Sequence, residues 1–307
     1  MNKKSVIVGG TIAIDNVKTP SAEASNLLGG SASYASLATS FYHESVNLVG
    51  IIGHDYPQEH LDMLSSQGVD LTGVERSESA SFTWSGEYME NMNDRQTHAV
   101  ALNVLEGWEV KIPQEISASQ VVVLANMSPE NQLQMLDGCT AVERYVIADT
   151  MDLWIAIANE KLHEVLQRID LLVINESEAR EFAKTSNLVL AGELLLEKGP
   201  AHVIIKLGEF GAMMFAKDGS VFRCPAWPLK ELADPTGAGD SFLGGMAGYL
   251  ASLDTLDFNF EHLRQAMVRG SVAASFTCEA FSTQKLQSVT RADLDARMVK
   301  LKEISSW

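Results

Sequence analysis

The sequence predicts an α/β protein built on a doubly wound, mostly parallel β-sheet. Two observations carry that expectation. Short, near-continuous apolar runs alternate along the chain with amphipathic stretches of helix length, and no repeat, low-complexity segment or Pro/Ser-rich linker interrupts them. Strands covered by helices on both faces read as unbroken Val/Ile/Leu runs, because neither face meets water. At 307 residues the chain can bury a large core, and one compact unit over residues 1–307 is expected.

The elements follow in order. Strand-like runs are Val6–Val8, Val46–Ile52, Val121–Ala125, Tyr145–Ala148, Leu171–Ile174 and Val203–Lys206. Between them lie the helix-like stretches Glu59–Ser66, Leu153–Leu166, Ser177–Lys184 and Leu188–Glu197. One region departs from this rhythm. In Ser81–Val104, Phe82, Trp84, Gly86 and Tyr88 alternate with polar residues, a polar turn follows around Met92–Arg95, and Thr97, Ala99 and Ala101 alternate again. That is an inserted two-stranded hairpin, suited to a lid over a substrate or to a homodimer edge. Its aromatic residues could stack on a ligand or fill the hairpin's own small core.

Composition narrows the function. Hydrophobic residues at 46% and charged ones at 21% are ordinary for a folded domain. A net charge of −17 argues against nucleic acid or an acidic membrane as partner. An anionic substrate must then be captured by local donors against the overall field. The N-terminal "MNKKSVIVGGTIAID" has too short an apolar core for a leader or a membrane span and reads as a first buried strand. Cys139, Cys224 and Cys278 are odd in number and far apart, which suits a reducing cytoplasm. The histidines lack metal-ligand spacing, and neither a GxxxxGK[ST] loop nor a GxGxxG turn follows a strand.

Ligands of such sheets bind at the carboxyl ends of the strands, so the segments after those ends matter most. Asp234-Pro-Thr-Gly237-Ala238-Gly239-Asp240 precedes a helical pattern of Phe242, Met246 and Tyr249–Leu250. Small residues at a helix N-terminus let an anion approach free backbone amides. Asp240 there would repel the anion unless proton chemistry requires it; otherwise it is a plain helix cap in a tight glycine turn. Asn175-Glu-Ser-Glu178 follows the Leu171–Ile174 strand. It can order hydrated Mg2+, or simply form a capping box. Lys206-Leu-Gly208-Glu-Phe-Gly211 can bend amides around a phosphate or make a hairpin turn into Met213–Ala216. Gly29–Gly30 opens a small, polar helix start, suited to a hydroxylated ligand or to close helix packing. Asp15, beyond the first strand, is a candidate acceptor for substrate hydroxyls, or an ordinary turn residue.

Taken together, these motifs resemble those of the ribokinase, or PfkB-type, carbohydrate kinase family. Asp234–Asp240 followed by Gly244 and Gly245 matches the family's second signature in full, and "QGVDLTGV" at Gln67–Val74 adds to the match. The resemblance spans nearly the whole chain. It implies a ribokinase-like three-layer fold with a small β lid formed mainly by about residues 76–106, with 11–28 as a further contributor. It further implies phosphorylation of a hydroxymethyl group on a sugar or nucleoside, with ATP and Mg2+, and leaves open activation by a monovalent cation. Residue by residue, it makes Asp240 the general base and Gly237, Ala238 and Gly239 the anion hole. Asn175, Lys206, Gly208 and Gly211 would bind ATP, and Asn175 with Glu178 would hold Mg2+ through water. Asp15, Gly29 and Gly30 would bind the acceptor. One position departs: where the first signature usually carries Asn, Tyr34 stands, replacing an amide with a phenol of different reach. A non-catalytic sugar or nucleotide sensor would not need the acid at 240.

Overall fold

The computed structural model describes residues 4–306, so Met1–Lys3 of the N-terminal stretch and Trp307 lie outside the described residues. In chain order the elements begin β1 (Val6–Gly9), β2 (Ala13–Lys18), β3 (Glu23–Gly29), α1 (Ser31–Ser40), β4 (Val46–Ile52), α2 (Gln58–Ser66) and β5 (Val69–Arg76). The hairpin β6 (Thr83–Tyr88) and β7 (Arg95–Ala101) follows, then β8 (Val121–Leu124), α3 (Pro129–Gly138), β9 (Tyr145–Asp149), α4 (Asp152–Ile157) and α5 (Asn159–Leu166). Next are β10 (Leu171–Asn175), α6 (Glu176–Ala183), α7 (Leu188–Leu196), β11 (His202–Lys206), β12 (Ala212–Ala216) and β13 (Val221–Cys224). The chain closes with α8 (Ala238–Ser252), α9 (Phe260–Thr277) and α10 (Arg291–Ser305).

A nine-stranded sheet runs in the order β13-β12-β11-β10-β9-β8-β1-β4-β5. Pairing is parallel from β11 to β5 and antiparallel at β11–β12 and β12–β13. Alternate strand residues face two separate cores. Val6, Val8, Leu48, Val121, Ile147 and Val173 pack with residues of α1, α8 and α9, such as Leu37, Leu243 and Met267. Ile7, Val49, Val122, Val146 and Leu172 pack with residues of α3, α5 and α7, such as Met135, Leu162 and Leu195. This double burial is why the central strands read as continuous apolar runs.

The expected helix over Leu153–Leu166 is two helices. The backbone leaves helical geometry at Ala158 (φ −129°, ψ 31°), where Asn159 turns its side-chain amide back to the carbonyl of Ile155 at 3.1 Å. An amide that bonds its local backbone competes with helix propagation.

A second sheet of four strands, ordered β3-β2-β6-β7, stands over the carboxyl ends of the large one. The β6–β7 hairpin joins β2 in parallel, and β2 pairs β3 antiparallel. Val17, Leu27 and Tyr88 form this sheet's own small core, with Trp84, Met92 and Phe281 against it. Phe82 instead packs on the main core. Of the two uses open to the hairpin aromatics, filling a core is the one seen for Trp84 and Tyr88.

Candidate active site

The free donors of α8 organise the site. Gly237 is its N-cap in the left-handed region (φ 76°), and a Cβ there would lie 2.4 Å from ring atoms of Tyr34. Only glycine meets both demands. Asp240 therefore stands inside the first turn and is not the cap. Ala238 commits its amide to the carbonyl of Pro235 at 3.1 Å. Among the described residues, the amides of Gly237, Gly239 and Asp240 have no backbone acceptor, as the start of a helix requires.

Lys206, at the end of β11, reaches the same place. A Cβ on Gly239 would lie 3.0 Å from its Nζ. The ammonium donates to Oδ2 of Asp149 at 2.7 Å in a largely buried ion pair. Burial alone would lower the Lys206 pKa, but Asp149, Glu178 and Asp240 hold it above the ordinary value. Asp240 is pushed up to about 6 by burial and by Asp149, against the opposing pull of Lys206 and Arg95.

Asn175 and Glu178 form the capping box of α6. Asn175 Oδ1 accepts from the Glu178 amide and Glu178 Oε2 accepts from the Asn175 amide, each at 2.9 Å. The carboxyl is nonetheless poised, pushed up to about 7 by burial and Asp149, with Lys206 opposing. Gly208 (φ 57°) and Gly211 (φ 91°) bend the connection from β11 to β12 through a single 3-10 turn. A Cβ on Gly208 would lie 2.9 Å from Oδ1 of Asn93 at the hairpin tip. The small sheet thus touches the loop expected to carry nucleotide.

Asp15 sits on β2 with its carboxyl against Gly29, where a Cβ would lie 2.1 Å away. It accepts from the Gly30 amide, and burial, then Asp234 and Asp240, push it up to about 8. The carboxylates of Asp234 and Asp240 both act on Asp15, so the expected acceptor residue lies near the expected base. Tyr34 is buried, with its phenol beside Ser282; burial drives its pKa well above ordinary. Its ring is the floor beneath Gly237. Asp234 braces this floor, accepting from the amides of Thr236 at 2.9 Å and Ser282 at 3.2 Å.

Two site residues lay outside the sequence expectations. Asp149 ends β9, level with the strand ends that carry Asn175 and Lys206, and the carboxyl-end rule would have selected it. Arg95, expected at the end of the polar turn, is the first residue of β7, and no local pattern in the sequence ties it to Asp240. Among the described residues, no group of His, Cys, Asp and Glu forms a site for a directly bound metal ion, and no helix is long and apolar enough to cross a membrane.

Comparison with known proteins shows the family and the fold. The profile of the pfkB family carbohydrate kinases matches residues 7–290. A cytidine kinase from Thermococcus kodakarensis is 30% identical over 250 residues, covering 80% of this chain and 88% of that protein. Among solved structures, an Escherichia coli protein described as ribokinase II, in complex with ATP and Mg2+, superposes with a TM-score of 0.80. It is 17% identical, with 97% of this chain and 99% of that one covered. Burkholderia thailandensis nucleoside kinase with inosine superposes at 0.77, 18% identical, covering 96% and 97%. The chain belongs to the pfkB family of carbohydrate kinases, phosphotransferases whose acceptor is an alcohol group.

Proposed function

We propose that this protein uses ATP and Mg2+ to phosphorylate a hydroxymethyl group of a sugar or sugar-like substrate, with Asp240 as general base. One observation carries the reading: Asp240 stands in the first turn of α8, where the amides of Gly237, Gly239 and Asp240 lack a backbone acceptor, under the pull of Lys206 and with its own charge felt by Asp15. Asp240 takes the proton as the acceptor oxygen bonds to the γ-phosphorus, and the bond from that phosphorus to the β,γ-bridging oxygen breaks to release ADP. The amides of Gly237, Gly239 and Asp240 receive the charge on the phosphoryl oxygens, and Ala238 contributes its small size. Lys206, Gly208 and Gly211 line the nucleotide phosphates, while Asp15, Gly29 and Gly30 orient acceptor hydroxyls.

Asn175 and Glu178 fit Mg2+ through water rather than directly. Their capping box occupies Asn175 Oδ1 and Glu178 Oε2, leaving the second carboxylate oxygen for a hydrated ion. When bound, Mg2+ neutralises charge on the ATP phosphates. The unpaired thiols of Cys139, Cys224 and Cys278 suit a reducing cytoplasm. The edge strand β7, with Val100 and neighbouring Leu102 exposed, suits a homodimer contact.

Similarity to the cytidine kinase favours a second acceptor class, nucleosides. ATP consumption across a panel of sugars and nucleosides, with wild type beside Asp240→Asn, tests both. Turnover should appear with at least one acceptor and fall about 10²–10⁴-fold in the variant, while ATP affinity holds or improves. A variant with wild-type turnover would remove Asp240 from the mechanism.

A further inference from the structure

We infer that Arg95, carried on the hairpin, is a further catalytic residue whose guanidinium contacts the phosphoryl group in transit. The assignment rests on the kinase reading above. Arg95 opens β7 directly opposite Tyr88, so the two side chains share one face of the small sheet. That face looks onto the loop before α8, because Thr236 Oγ1 donates to the Tyr88 hydroxyl at 3.3 Å. Two residues before Arg95, Asn93 lies against Gly208 of the nucleotide loop. The hairpin tip therefore spans both sides of the gap in which the phosphoryl group would move.

Charge gives the reason for a cation there. Asp15, Asp149, Glu178, Asp234 and Asp240 converge on the site, and Lys206 is already held by Asp149 at 2.7 Å. Arg95 is exposed and, among the described residues, forms no ion pair, although Asp240 feels its charge. Its guanidinium hydrogen-bonds the Tyr88 side chain and has no carboxylate partner among the described residues, so its planar fork keeps donors for two phosphoryl oxygens at once. Lys18, on the same sheet, is instead paired with Glu87 at 2.9 Å.

The test uses the full chain with the best acceptor, comparing wild type, Arg95→Gln, Arg95→Lys and, as a control, Lys18→Gln. Arginine residues that reach a transferring phosphoryl group are worth about 10³–10⁵-fold elsewhere; with the α8 amides retained, Arg95→Gln should lower kcat by at least about 100-fold, with acceptor KM changed only a few-fold. Arg95→Lys should fall between, and free guanidinium ion at non-denaturing concentration should restore part of the Arg95→Gln rate. Calorimetric titration with ATP and with ADP gives a readout independent of turnover: the preference for ATP should shrink in Arg95→Gln and persist in Lys18→Gln. Wild-type kcat in folded Arg95→Gln, or an unchanged ATP preference, would overturn the role of Arg95. A wild type inert toward every acceptor would overturn the kinase reading instead.

Discussion

Asp240 should lose its proton near pH 6, about two units above an ordinary aspartate. At pH 5 roughly one Asp240 in ten would be ionised, against about nine in ten for an unperturbed carboxyl near 3.9. A general base works only in its ionised form, so kcat/KM should fall close to tenfold per unit below about pH 6. The surroundings specify how the limb moves. Burial and the Asp149 carboxylate raise the pKa, and Lys206 and Arg95 lower it. Asp149→Asn should therefore move the acid limb toward lower pH, and Lys206→Met toward higher pH. The assay is initial-rate ADP formation, quantified by chromatography with both substrates well below KM, because that regime reports the free protein. An acid limb at about pH 4 in the wild type, or one that stays in place in both variants, would refute the electrostatic account of Asp240.

Gly239→Val should fold, since the added side chain first meets the movable end of Lys206, 3.0 Å from the new Cβ; yet kcat should drop by about 10²–10³-fold as the isopropyl group covers the amides. Near-normal turnover with an unchanged melting temperature would remove the anion hole from this turn. Asp15→Asn should weaken acceptor binding while stabilising the apo protein at high pH. Its folded pKa of about 8 lies above the unfolded value, so ionising Asp15 costs stability as pH rises from about 4 through 8. Calorimetric Tm should accordingly rise in the variant by several degrees, at about 2–4 °C per kcal/mol, near pH 8 and stay unchanged near pH 4; an equal gain at both would rule out ionisation as the cause.

Strands β1, β4, β8, β9, β10 and β11 of the large sheet were legible because they are buried on both faces, a condition written directly into runs such as Val46–Ile52 and Leu171–Ile174; the edge strands β5 and β13, partly exposed, did not show. The β6–β7 hairpin showed through its alternation. Strands β2 and β3 did not show in the local pattern, because Asp15, Asn16 and Asn26 break any apolar period and the pairing of β2 with β6 is made far along the chain. Motifs at the strand ends exposed most of the site. Tyr34 illustrates the limit: the sequence shows only a phenol where the family signature carries an amide, and it takes the fold to reveal its ring buried beneath Gly237. Asn175–Glu178 shows that two readings can coexist, a completed cap whose carboxyl is still displaced to about 7. Arg95 illustrates the converse, a polar turn residue whose meaning exists only once the hairpin folds over α8.

The small sheet is stitched from segments separated by α1, β4, α2 and β5, through the parallel pairing of β2 with β6. Its first half cannot complete its hydrogen bonding until much of the large sheet's flank has been made, so it belongs among the late, long-range steps of folding. Having only the small cluster of Val17, Leu27 and Tyr88 as its own interior, it is also the part of the molecule least costly to open. Its backbone amides on β2, β3, β6 and β7 should exchange with solvent deuterium as one block, well ahead of the central strands. Exchange of that kind would mark the small sheet as a subglobal unfolding unit that opens without disturbing the frame that holds Asp240.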